Sequence, residues 1–190
     1  MSLKKNYFFF YIFLYLSLVV GFIFGENSSG GAIYDFNIII KAIESFSNDL
    51  KNTYENYSSF SIAHYPYYYI FLSFLLKLTN SIVFVKLFNL HLSLLLPLVF
   101  YKILRLKYPN QLEYLIFLPG LIFLSPYFRS SAIWALNDNI ALVFFSFAIF
   151  YYLKTIFTKK EHKIFKYAIL NLIFIIGATY IRQYYSIFGI

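Results

Sequence analysis

Arg129 and Asp138 stand at the two ends of the stretch RSSAIWALNDN, between hydrophobic runs long enough to cross a bilayer. Burying either charge in hydrocarbon costs roughly 2.5–3.5 kcal/mol, so an ionisable residue at such a boundary is kept for a partner or for a function. Two readings are open. The guanidinium and the carboxylate pair with each other and offset their desolvation, or each is held for something at the membrane surface. Two further acids, Glu26 and Asp35, flank the flexible turn ENSSGG after the first apolar run. That spacing suits a site reaching a substrate at the interface, and it equally suits two solvated loop charges. Asp35 also fits the N-cap or first turn of a helix, where a carboxylate meets free backbone N–H groups. His64 directly precedes Tyr65 and Pro66, as an interfacial polar residue or a ligand, and Arg182 and Gln183 close the last apolar run. The chain has no HExxH, no paired-histidine spacing and no glycine-rich phosphate loop, which leaves zinc-hydrolase and nucleotide-loop chemistry without support.

The elements that must carry these residues are membrane helices. Apolar residues make up 61% of the chain and charged ones 13%, with 25 Phe, 20 Tyr and a mean hydropathy of +0.67. No soluble domain of 190 residues hides that much apolar surface in one core, whereas a lipid-facing chain need not hide it. The expectation is a single all-α domain over 1–190, a polytopic bundle of about five transmembrane helices at 7–24, 82–101, 112–128, 140–157 and 164–180. The first run follows Lys4 and Lys5 as a signal peptide would, but bulky aromatics around Phe22 and Phe24 make a poor cleavage site, so it reads as an uncleaved span. Cysteine is absent, which excludes disulfides and thiolate metal sites.

The first extracytoplasmic loop, 25–81, has internal order. Phe36, Ile39, Ile40, Ile43, Phe46, Leu50 and Tyr54 recur at helical spacing, which predicts an amphipathic helix lying flat on the membrane. Residues 65–78 form a second apolar run, too short for a span and of a length that suits an interfacial helix. Reading it as interfacial places ten of the sixteen Lys and Arg residues on one side, with net charge +8 there and zero on the other. The positive-inside rule then sets the N-terminus in the cytoplasm. The pI of about 9.4 therefore reflects loops that meet anionic lipid rather than nucleic acid.

A first span, an outer loop with acids and an amphipathic helix, the His-x-Pro-Tyr entry at His64 and an Asp at the outer end of a later span together resemble the amino-terminal membrane module of GT-C glycosyltransferases. These are multi-spanning enzymes that use polyprenyl-phosphate-linked or dolichyl-phosphate-linked sugars. By that resemblance Asp35 looks like the essential acid of the first outer loop, with Glu26 the competing assignment, and 65–78 looks like the second juxtamembrane helix. Asp138 and Asn139 match the second acidic motif in position, and the YIRQYY segment, with Arg182 and Gln183, resembles an Arg-Gln pair of the superfamily.

The resemblance implies transfer of a hexosyl group to an acceptor hydroxyl at the extracytoplasmic face, in a bacterial inner membrane or the endoplasmic reticulum. Asp35 would take the acceptor proton, and Arg182 or Arg129 would stabilise the leaving phosphate, with His64 and Gln183 beside the substrate. Asp138 would orient the acceptor or, with Asn139 and Glu26, hold a divalent cation, Mg or Mn. Such enzymes are longer, so a truncated amino-terminal portion is expected. The alternatives are a multi-spanning transporter, for which no internal repeat is found, and a noncatalytic scaffold or lipid-handling protein.

Overall fold

The computed structural model describes residues 3–111 and 115–189, and every regular element among them is helical. In chain order the α-helices are α1 (Leu3–Ile23), α2 (Ala32–Asn48), α3 (Leu50–Glu55), α4 (Tyr67–Thr79), α5 (Ile82–Ser93), α6 (Leu95–Lys107), α7 (Pro126–Ile133), α8 (Asp138–Phe157) and α9 (Glu161–Ile181). Three helices are long and apolar enough to cross a membrane, which marks a membrane protein: Ile82–Lys107, which joins α5 to α6, then α8 and α9. The Tyr7–Ile23 part of α1 is also apolar, and Tyr67–Thr79 is a shorter apolar helix. Against the expected count of about five, three helices among the described residues have spanning length.

The span expected at 112–128 is not one helix. Residues 112–114 lie outside the described residues. Beyond them the chain makes a 3-10 turn at Leu118–Leu124 and starts α7 at Pro126. Pro119 and Pro126 have no N–H to continue a helical ladder, and Gly120 adds backbone entropy against one. The segment nevertheless runs along α1. The Tyr11 hydroxyl donates to the Ile116 carbonyl, Phe117 packs edge-on against Tyr7 and Phe10, and Arg129 reaches Ser17. α1 covers one side of this irregular segment, burying Pro119, Gly120 and Phe123, while Leu121 and Leu124 stay exposed. Pro97 similarly explains why α5 and α6 are separated at Leu94, since it cannot donate to the Ser93 carbonyl one turn back.

The amphipathic helix in the outer loop exists but differs from its expectation twice. Its apolar face, Phe36, Ile39, Ile43 and Phe46, is buried against Tyr69, Leu72 and Leu76 of α4 rather than laid on lipid. It also stops at Asn48, because Asp49 turns extended and its Oδ1 accepts from the Asn52 N–H at 3.0 Å, starting α3 afresh. A second core joins Leu14 and Leu18 of α1 to Leu90, Phe128, Ile133 and Val143, and Trp134 packs against both cores. The antiparallel pair α8 and α9 is closed by Phe147 stacked on Phe174 at 4.8 Å, and by Gly177, where an added Cβ would lie 2.5 Å from Phe144.

Candidate functional site

The turn between α7 and α8 sets the site. Ala135 takes a left-handed conformation there, φ 52°, and Asn137 donates from Nδ2 to the Ile181 carbonyl at 3.1 Å. This ties the start of α8 to the end of α9 and brings Asp138 beside Arg182. Arg182 donates from Nη2 to Asp138 Oδ1 and from Nη1 to His64 Nε2 at 2.6 Å. Arginine can only donate, so Nε2 of His64 must be the accepting nitrogen and the imidazole is neutral with its proton on Nδ1. Nδ1 faces Gln183 Oε1 at 3.3 Å, and the amide is oriented by its own donation from Nε2 to the Ala63 carbonyl at 2.6 Å. Burial lowers the His64 pKa below the ordinary histidine value and Arg182 lowers it further, against the opposing pull of Gln183, Asp138 and Asp35. The Nε of Arg182 is buried and has no acceptor among the described residues.

Asp35, Asp138 and Arg182 lie on the wall of a cavity of about 750 Å³ that is also lined by Leu96, Phe100 and Leu142. A second cavity, of about 230 Å³, shares these three residues and is bordered by His64 and Tyr69. Asp35 sits in the first turn of α2, but it does not cap the helix: the N-cap is Gly31, and Asn27 Oδ1 accepts from the Ala32 N–H at 3.0 Å. The Asp35 carboxylate is exposed and has no hydrogen-bond or ion-pair partner among the described residues.

Glu26 and Arg129 are placed elsewhere. Arg129 donates from Nε to Glu26 Oε1 at 2.7 Å and from Nη2 to Oε2, and its remaining N–H groups reach Ser17 Oγ at 3.2 Å and the Ser17 carbonyl at 3.0 Å. Gly21 makes room, since a Cβ there would lie 2.3 Å from Glu26 Oε2. Hydrogen bonding from Arg129 holds the Glu26 carboxyl below the usual carboxylate range, against desolvation. Neither residue lines the two cavities. The two charges of the RSSAIWALNDN stretch therefore do not pair with each other: Arg129 pairs with Glu26 and Asp138 with Arg182.

The donor set does not fit a protein-held divalent cation. Asp138 already carries a guanidinium and Glu26 is committed to Arg129, which leaves Asn139, its Nδ2 donating to the Phe128 carbonyl at 2.8 Å, with a lone amide oxygen to offer. Among the described residues no three His, Asp or Glu side chains gather as a metal site.

Sequence reasoning missed Asn89, which is buried, accepts from the Tyr68 hydroxyl and donates to the Ser131 and Ala132 carbonyls at 3.0 and 2.9 Å. Its signal was available, as an amide in the middle of an apolar run. Sequence reasoning also passed over Lys86, whose Nζ lies 3.6 Å from the Trp134 ring centroid and near Phe22 and Phe36. No protein-family model, curated protein or solved structure matches this chain.

Proposed function

We infer that this chain is a membrane glycosyltransferase, or the amino-terminal portion of one, moving a sugar from a polyprenyl-phosphate-linked donor to an acceptor hydroxyl at the extracytoplasmic face. The observation that carries the reading is one cavity wall bearing an unpartnered carboxylate, Asp35, and a guanidinium, Arg182, drawn from opposite ends of the chain. As the bond from the sugar carbon to the phosphate oxygen breaks, its electron pair returns to the phosphate, where Arg182 stabilises the charge. The acceptor oxygen bonds to the sugar carbon and its proton passes to Asp35, then to solvent. Asp138 gives one oxygen to Arg182 and keeps the other for a hydroxyl. A lipid-linked donor is further supported by an apolar cleft of about 660 Å³ between α4, α5, α8 and α9, lined by Phe71, Leu92, Phe144, Tyr180 and Ile181, which ends one residue before Arg182.

The test is transfer or release of labelled sugar from a polyprenyl-phosphate donor in vesicles carrying the full chain. Asp35→Asn is expected to reduce the rate by about 10²–10⁴-fold while the unfolding midpoint holds. Wild-type rates in that variant would refute the base assignment. A second reading, a noncatalytic lipid-handling protein, is favoured by the Asp138–Arg182 pair, in which the guanidinium already has a carboxylate partner. Retained lipid binding without any sugar release would select it.

A further inference from the structure

Arg182 is held at two points, by Asp138, which borders both cavities, and by His64, which borders only the smaller. Its third donor, Nε, is buried and unsatisfied among the described residues, a costly state for a charged group and one that a turn of the guanidinium would relieve. The hold by His64 has a chemical condition. It exists only while Nε2 is bare, because a proton there would set two donors and two positive charges 2.6 Å apart.

We propose that His64 is a proton-dependent latch on Arg182, and that the released guanidinium captures a phosphoryl or sulfuryl oxyanion at the mouth of the larger cavity. The groups facing the ring from the packed elements are Arg182 after α9, Asp138 at the head of α8, Asp35 on α2 and Tyr69 on α4, with the Gln183 amide at Nδ1. The backbone of His64 is fixed, since its carbonyl accepts from the Tyr57 hydroxyl at 2.9 Å, so the ring and the guanidinium must yield on protonation. Counting the four ionisable groups Asp35, Asp138, Arg182 and His64, protonation takes the cluster from one net negative charge to none. Freed from His64, the guanidinium keeps Asp138 and turns its Nε edge outward, where it can grip two oxygens of a tetrahedral anion. Charge and geometry act in the same direction, and acid raises anion affinity. By reciprocity, binding of the anion draws a proton onto His64.

The proposal rests on Arg182 being the anion grip and does not require sugar transfer. The probe is a pyrene-tailed alkyl sulfate, whose head stays a monoanion from pH 5 to 8, added to the full chain in phosphatidylcholine nanodiscs and followed by energy transfer from Trp134, the single tryptophan. Affinity in the wild-type protein is expected to rise about tenfold or more across that fall in pH. His64→Gln, which keeps a neutral acceptor, should bind weakly at every pH, and His64→Ala should bind tightly at every pH. Competition by inorganic sulfate supports the site with a free oxyanion as ligand; tight probe binding without competition supports it with a lipid head group. A flat wild-type profile, or a slope that persists in His64→Gln, overturns the latch. Undiminished binding by Arg182→Gln overturns the grip itself. Proton uptake on probe binding, measured in weakly buffered wild-type protein, needs no variant to fold, and its absence also refutes the latch.

Discussion

Glu26 and Arg129 neutralise each other, and this leaves Arg182 as the guanidinium on the cavity wall. The pair is largely sheltered, with side-chain exposures of 24% and 14%, so removing one partner strands a charge away from water. Arg129→Ala is expected to cost about 3 kcal/mol or more in denaturant unfolding, leaving Glu26 and the Ser17 carbonyl without their donor. A loss below about 0.5 kcal/mol would mean that the pair is solvated. Acid should act in two stages. The neutral form of His64 is favoured by folding, so its contribution is complete above about pH 6.5, the unfolded value, and declines as pH falls below it. The contribution of Glu26 is present above its unfolded value, about 4.3, and is lost as pH falls through the lower folded value. Unfolding midpoints across pH should show both steps, with His64→Gln removing the upper and Glu26→Gln the lower. That all these residues carried meaning was legible in the sequence from charge beside apolar runs. Their partners were not, because pairs separated by 103 and 44 positions are made by packing and leave no local pattern.

At the scale of elements, hydropathy located the long helices and periodicity located α2, since both signals are local. The failure at 112–128 has a plain cause: hydropathy measures transfer into an apolar phase, whereas Pro119, Gly120 and Pro126 decide backbone geometry. The face of α2 was likewise read correctly as apolar, but periodicity does not say whether lipid or α4 covers it. The packing of α8 on α9 matters most for the site, because Asp138 begins one helix and Arg182 follows the other. Gly177 permits their close approach beside Phe144. Gly177→Val should therefore destabilise the protein by about 1–3 kcal/mol through overpacking. If the cause is that clash, adding Phe144→Leu to the variant should restore part of the loss in thermal unfolding; an additive double variant would point to another origin.

At the scale of the whole molecule, the two ends of the helices differ in charge. Arg105 and Lys107 fall in the last turn of α6, Lys154 in that of α8, and Lys163 and Lys166 near the start of α9. Leu96 and Phe100 of α6 share a cavity with Asn139, Leu142 and Ser146 of α8. Asn89, earlier in the same Ile82–Lys107 span, meets the Ser131 and Ala132 carbonyls just before α8, so this span and α8 run in the same direction, which gathers these cations at the end remote from Asp35, Asp138 and Arg182. The site and the basic cluster should then lie on opposite membrane faces, with the cations on the cytoplasmic one. Because the chain contains no cysteine, single substitutions report this cleanly. Asn48 at the end of α2 and Lys160 before α9 are both exposed. In sealed right-side-out vesicles a membrane-impermeant maleimide should label Asn48→Cys at once and Lys160→Cys only after permeabilisation. Labelling of both from the same side would break the argument at its base, since a carboxylate and guanidinium facing the cytoplasm could not receive a lipid-linked sugar presented on the other face.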